Sequence, residues 1–288
     1  MKISVVIPCL NAAATLPAQL DALLAQAGQG DCEVIVADNG SSDPSCEIAN
    51  AYRGRLPNLH VIDASARLGA AHARNCGARR ARGEAIAFCD ADDVVGTGWV
   101  EAIDEALARH YFVASRLDFA RLNPGWAATG VRHAQERGLQ RVGYPPYLHH
   151  AGGSGLGVRR KVHEEIGGFD ESLPYLEDTD YCFRIQRAGY ELAFAPAALV
   201  HVRLPERPSR LFNQARHWAR YNALMNRRYG AGASVPNPWR VHAQRWYDLL
   251  RCAERLFRRD ARPAWLKAMG TQVGLLEGAL RYRVPPVR

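Results

Sequence analysis

Short apolar runs alternate with helix-spaced segments through the first half of the chain. Residues 3–8 form one such run, and residues 14–27 place Leu16, Leu20, Leu23 and Leu24 at helical spacing. A second run at 33–37 closes in Asp38-Asn39-Gly40-Ser41-Ser42-Asp43, a turn able to cap the next helix. The pattern then predicts a strand at 59–62, an Ala- and Arg-rich helix at 70–82 and a strand at 84–89. Strands separated by helices of roughly 10–15 residues predict a parallel sheet with right-handed crossovers. A helix is predicted at 97–110 on Trp99, Val100, Ile103 and Leu107, whereas 116–150 lacks periodicity and reads as long loops. Beyond a glycine-rich stretch at 152–158, a short helix is expected at 161–166, a turn at Gly167-Gly168-Phe169-Asp170, a helix at 178–188 and a strand at 191–194. From 205 onward the pattern is helical, over about 208–229, 239–259 and 263–283.

Composition changes this picture in three ways. At 48% hydrophobic and 23% charged, the 288-residue chain is an ordinary globular one. Its seven cysteines (9, 32, 46, 76, 89, 182, 252) lack CxxC pairing, which predicts buried thiols in a reducing compartment, not a disulfide framework or a zinc site. Met1-Lys2 runs directly into the first strand, so no signal peptide is expected, and no run approaches roughly 18 apolar residues, so no membrane span is expected. A cytoplasmic protein is the expectation, with Asn39-Gly40-Ser41 a turn and not a glycan acceptor. The net charge of +8 is unevenly spread. Residues 201–288 hold 18 Lys+Arg against 5 Asp+Glu, which leaves 19 against 24 in residues 1–200. A basic tail of this kind meets an anionic partner, or it reflects a general preference for Arg, with 34 Arg to three Lys. No nucleic-acid motif is present, and no nucleic-acid partner is expected.

The chemistry concentrates where strands end. The strand at 84–89 runs into Asp90, Asp92 and Asp93, and open α/β sheets bind ligands at that edge. Carboxylates so close repel, and a hard divalent cation bridging to a phosphate relieves them; a solvated acidic turn is the alternative. Asp38 ends the second strand at the same edge and can accept hydrogen bonds from a base imide or a ribose hydroxyl, or cap a helix. Arg74, entering a helix after Gly69, is placed to reach a phosphate, while Arg79, Arg80 and Arg82 read as a solvated face. Glu177, Asp178 and Asp180 open a helix, where they serve its dipole unless one is buried and poised to take a proton. His201 follows a strand as either a structural histidine or a third metal ligand. Asp90-x-Asp92 with Glu101 fails as a calcium loop, because Val94 and Val95 occupy positions that need Asp/Asn and Gly. The segment Gly153-Ser154-Gly155-Leu156-Gly157 misses GxGxxG spacing, and neither GxxxxGK[ST] nor GxSxG occurs.

Together these segments resemble family 2 glycosyltransferases of the GT-A fold. Residues 4–11 resemble the family's opening strand, 36–43 its base-binding turn, and 69–77 with Ala81-Arg82-Gly83-Glu84 and Asp90-Ala91-Asp92-Asp93 its phosphate and metal segment. Residues 167–171, Glu177-Asp178-x-Asp180, Arg184 and Gly189-Tyr190 resemble its acceptor side. The resemblance implies an α/β fold, a Rossmann-like mostly parallel sheet flanked by helices, over 1–204. Its donor-binding half is about 1–95 and its acceptor-side half about 96–204, with a basic C-terminal helical extension at 205–288. It implies an inverting hexosyltransferase-like enzyme that uses a nucleotide-diphosphate sugar, Mn²⁺ or Mg²⁺, and a hydroxyl acceptor in a glycan, a lipid-linked sugar or a small molecule. Pro8, Asn11, Asp38, Arg74, Asp90 and Ala91 would bind the donor, Asp92 with Asp90 and His201 the metal, and Asp178 would be the general base. Glu177, Gly153 and Ser154 fall on the acceptor side. Gln214-x-x-His217-Trp218 resembles the QxxRW of processive members, but His stands at the Arg position. A nucleotidyltransferase, or an inactive sugar-nucleotide-binding scaffold, remains the alternative. The basic helices with Trp218, Trp239, Trp246 and Trp265 are expected either to touch the inner face of a membrane peripherally or to pack, including into a homodimer.

Overall fold

In a computed structural model the apolar runs become one eight-stranded sheet. The structure describes residues 2–26, 32–56, 58–123, 134–205, 207–230, 237–259 and 261–286. The first four strands are β1 (Ile3–Cys9), β2 (Cys32–Asp38), β3 (Leu59–Asp63) and β4 (Ala85–Phe88), linked by α1 (Leu16–Leu24), α2 (Ser45–Ala51) and α3 (Ala70–Arg80). β1 pairs in parallel with both β2 and β4, and β2 with β3. Val5, Val6 and Ile7 are all buried, as both faces of a helix-covered parallel sheet require, which is why the strand reads as a continuous apolar run.

The second half brings β5 (Val94–Val95), α4 (Trp99–Arg109), β6 (Phe112–Asp118), β7 (Gln140–Arg141) and β8 (His149–His150). It continues with β9 (Leu156–Arg159), α5 (Arg160–Glu165), α6 (Glu177–Arg187) and β10 (Leu192–His201). The strand order is β3-β2-β1-β4-β9-β6-β10-β5. β9 runs antiparallel between β4 and β6, β10 is parallel to β6, and β5 is antiparallel to β10. The sheet is therefore mostly parallel and flanked by helices, as expected. The short strands β5, β7 and β8 were not expected, β10 runs on to His201, and β6 and β9 depart from the sequence reading for physical reasons. β6 is buried through Phe112-Val113-Ala114-Ser115 with no alternation, and its Ser115 Oγ accepts a hydrogen bond from Trp99 Nε1 at 2.9 Å. β9 carries Gly157 because a Cβ there would sit 2.9 Å from Val113 Cγ2, so this glycine marks close packing, not a loop.

Packing on this sheet is aromatic. Phe88, Phe112, Phe169 and Tyr181 are buried together, and the Phe169 and Tyr181 rings stack at 4.1 Å. His163 Nδ1 lies 2.8 Å from the Tyr181 hydroxyl, and burial pushes the imidazole down to about 4, so it stays neutral. Each such side chain, fully buried, contributes about 1.5–3 kcal/mol.

Two compact units are distinguished. One comprises Met1–Arg121, His133–Gln140 and His150–Arg203, the other Leu122–Arg132, Arg141–His149 and Leu204–Arg288. The second contains α7 (Pro208–Tyr229), α8 (Pro238–Arg251) and α9 (Arg262–Tyr282). Gly270, Gly274 and Gly278 recur every fourth residue of α9. A Cβ at each would collide with the α7 backbone at Phe212, Arg216 or Arg220, so the two helices touch main chain to main chain. Arg216 and Glu277 form an ion pair across the same contact. No helix of the described residues is long and apolar enough to cross a membrane.

Candidate functional site

The turn after β2 is held by the turn after β1. Asn11, at φ 51°, accepts from Ser42 N at 2.8 Å through Oδ1, and its own N–H donates to Ser41 Oγ at 3.0 Å. Pro8, half-buried, lies two positions before Leu10 on the same strand edge. Asp38 Oδ2 accepts from Ser41 N at 3.3 Å, whereas Oδ1 is buried and has no hydrogen-bond partner. A buried, unpaired carboxylate oxygen is costly and marks a place for an incoming donor.

The chain leaving β4 gathers three acids. Oxygens of Asp90, Asp92 and Asp93 lie within 4.8 Å of one another, with Ala91 buried between them. Asp93 Oδ1 accepts from Arg203 N at 2.8 Å, and Arg203 Nε donates to Asp92 O at 3.1 Å. Burial and then Asp90's charge raise both carboxyls: Asp92 is pushed up to about 6, and Asp93 well above the usual carboxylate range. Solvent reaches Asp92, but crowding by surrounding atoms still disfavours its charge. An all-oxygen set that holds protons this readily fits a hard divalent cation of the Mg²⁺ or Mn²⁺ class, which would remove the repulsion.

Arg74 lies deeper than a phosphate ligand should. Its side chain is 4% exposed, with Nη2 2.7 Å from Asp90 Oδ1 and Nη1 2.7 Å from Glu177 Oε1. The guanidinium also stands over the Phe169 ring at 5.5 Å. Both terminal nitrogens are thus engaged by carboxylates, and the residue ties the acid cluster to the start of α6. Gly153 makes room for this, because a Cβ there would sit 2.7 Å from Arg74 Nη2. The next residue, Ser154, accepts from Asp90 N at 3.3 Å through Oγ.

Entry into α6 is strained. Leu176 has φ 60°, a conformation that bulky residues rarely adopt, and it is followed at once by Glu177 and Asp178. Asp178 Oδ1 accepts from Thr179 N at 2.6 Å and Oδ2 from Gly153 N at 2.9 Å. Burial first, and then Glu177's charge, push its carboxyl up to about 7, with Arg74 opposing them. Gly153, Ser154, Arg74, Asp90, Glu177 and Asp178 are therefore one connected constellation.

His201 ends β10, where it pairs with Val94 just beyond the acids. Its Nδ1 is 2.6 Å from Asp118 Oδ2 and its Nε2 3.1 Å from Arg121 Nη1, and it is not among the acids that converge near Asp92. The expected third metal ligand is therefore a histidine with both ring nitrogens engaged. Asp118 closes β6 as Asp90 follows β4; recognising β6 as a strand would have pointed to it. Arg203 carries no comparable local signal, and Phe169, though inside the 167–171 turn, gives no hint in sequence of its place beneath Arg74.

A family profile described as glycosyl transferase family 2 matches residues 4–167. Glycosyltransferase AglE of Haloferax volcanii is 30% identical over 196 residues, which cover 67% of this chain and 64% of that protein. The chain spans less than two thirds of the length of this and of other curated relatives. Among solved structures, a mannosyltransferase from Pyrobaculum calidifontis in complex with GDP-Man and Mn²⁺ superposes with a TM-score of 0.68 at 19% identity, covering 98% of this chain and 87% of that one. Residues 1–349 of TarS from S. aureus in complex with UDP give 0.56 at 18% identity, covering 98% and 91%. These likenesses show a shared fold.

Proposed function

The chain belongs to glycosyl transferase family 2, and on that footing we propose that it transfers a sugar from a nucleotide-diphosphate donor to a hydroxyl acceptor, with inversion. The observation that carries this reading is Asp178. It is a half-buried carboxylate, crowded by surrounding atoms and held by two backbone N–H groups, whose pKa is pushed up to about 7 beside the acid cluster. A general base works best when its pKa lies near the operating pH. Asp178 takes the proton of the acceptor hydroxyl as that oxygen bonds to the anomeric carbon. The bond from this carbon to the diphosphate oxygen breaks, and the diphosphate departs with the electron pair. A divalent cation held by Asp90 and Asp92 would supply positive charge against that leaving group.

Other residues of the chain position the reactants. Asp38 Oδ1 accepts an N–H of the nucleotide base, with Asn11 and Pro8 framing the turn around it. Arg74 acts as a positioning residue: through Asp90 and Glu177 it fixes the distance between the acid cluster and the base. Gly153 and Ser154 line the acceptor side next to Asp178. The test is turnover of a panel of UDP- and GDP-sugars with Mn²⁺ or Mg²⁺, compared with Asp178→Asn. Donor binding should survive the substitution while transfer falls roughly 10²-fold or more. If Glu177→Gln produces that pattern and Asp178→Asn does not, the base is misassigned.

A further inference from the structure

α8 is turned inside out for a helix in water. It buries only His242 and Leu249, with Trp246 half-buried on the same face. Trp239, Ala243 and Leu250, at i, i+4 and i+11, lie along an adjoining stripe that is open to solvent, so the apolar surface of the helix continues past its buried edge. Trp239 is 53% exposed, Leu250 59% and Tyr247, beside the stripe, 55%; Phe257, in the turn that follows, is 81% exposed. Single exposed apolar residues are ordinary, but this many bulky ones on one short segment mark a contact surface.

We propose that α8 and the turn after it dock this unit onto an anionic bilayer, lying in the plane of its headgroups. Residues 237–259 contain six arginines against two acids, Asp248 and Glu254. Arg251 lies over the Tyr247 ring at 5.6 Å, so charge and aromatic surface are presented together. Arginines flanking a Trp- and Leu-bearing stripe are what an interfacial helix needs. Its 14 residues rise about 21 Å, too short to span. A second copy of this chain fits less well. A two-fold contact sets the patch against itself, arginine facing arginine, with too few acids to answer. Anionic lipid supplies the missing charge.

The inference does not rest on sugar transfer, and neither does its test. The full chain is floated with vesicles of phosphatidylcholine alone or mixed with phosphatidylglycerol. Binding is expected on the anionic vesicles only, with release in high salt. Trp239→Ser/Leu250→Ser/Phe257→Ser, checked for unchanged circular dichroism and melting, should abolish flotation. Arg240→Gln and Arg251→Gln should each lower partitioning roughly 5-fold. If the triple variant misfolds, Phe257→Ser alone provides the folded comparison and should still weaken binding. Absence of flotation on anionic vesicles, or flotation unchanged by these variants, overturns the proposal. A dimer that the triple variant dissociates, without vesicle binding, assigns the patch to a second copy.

Discussion

Asp178 in the folded chain binds its proton far more tightly than a free aspartate, because crowding by surrounding atoms, and then Glu177's charge, disfavour its ionised form. Its folded pKa of about 7 lies above the ordinary 3.8, so the native state carries no penalty below pH 3.8, loses stability as pH rises from there to about 7, and holds that full penalty at higher pH. Asp178→Asn, neutral throughout, is expected to melt higher than the parent at pH 8 and close to it at pH 4, even as transfer falls. A melting difference independent of pH would contradict the assignment. Transfer by the parent should fall with decreasing pH below about 7, following one proton. Asp92→Ala should remove cation-dependent binding of a nucleoside diphosphate in titration calorimetry and leave the fold intact, since Asp92 is exposed and its carboxylate is a repulsive neighbour of Asp90. At this scale the sequence was informative about residues whose meaning is local. Asp38, Asp90, Asp92 and Asp178 are acids at strand ends or a helix start, which is visible in one dimension. Arg74 and His201 were not so readable, because their partners lie far along the chain: Glu177 is 103 positions from Arg74, and Asp118 is 83 from His201.

Elements meet at Arg74. One guanidinium joins α3, the chain after β4 and the start of α6, and it is buried. Removing one member of such a network leaves uncompensated buried charge, so Arg74→Met should destabilise the fold by about 3–5 kcal/mol in urea unfolding. Gly153→Ala should be milder and more specific: its methyl displaces the guanidinium, and transfer should drop more than stability does. In the helical unit, Gly274→Leu should separate α9 from α7, which is measurable as lost helicity, because the α7 backbone leaves no space for a side chain. Helices were legible at this level, with α3, α4, α5, α6, α7 and α9 close to their predicted bounds. β6 and β9 were not. A strand buried on both faces shows no alternation, and a strand glycine looks like a loop until the neighbour that demands it, here Val113, is known.

For the molecule as a whole, a ligand that binds only the native state adds stability by mass action. A nucleoside diphosphate with Mn²⁺ at about 100 times its Kd should contribute about 2.7 kcal/mol, and chelation should abolish that gain. The sheet also fixes when such binding becomes available. β1 pairs with β2 and β2 with β3, each its neighbour in sequence, and β4, which pairs Ala85 with Ile3, completes the parallel half before the second half of the sheet is made. β5 waits for β10, about a hundred residues later, and Asp93 waits for the N–H of Arg203 just beyond it. During synthesis the N-terminal strands are free to assemble while the acids after β4 still lack that cap. On the function proposed above, an unfinished chain carries the nucleotide-facing half of the sheet before it carries a finished acid cluster, and competence for donor and cation would arrive with the last strand.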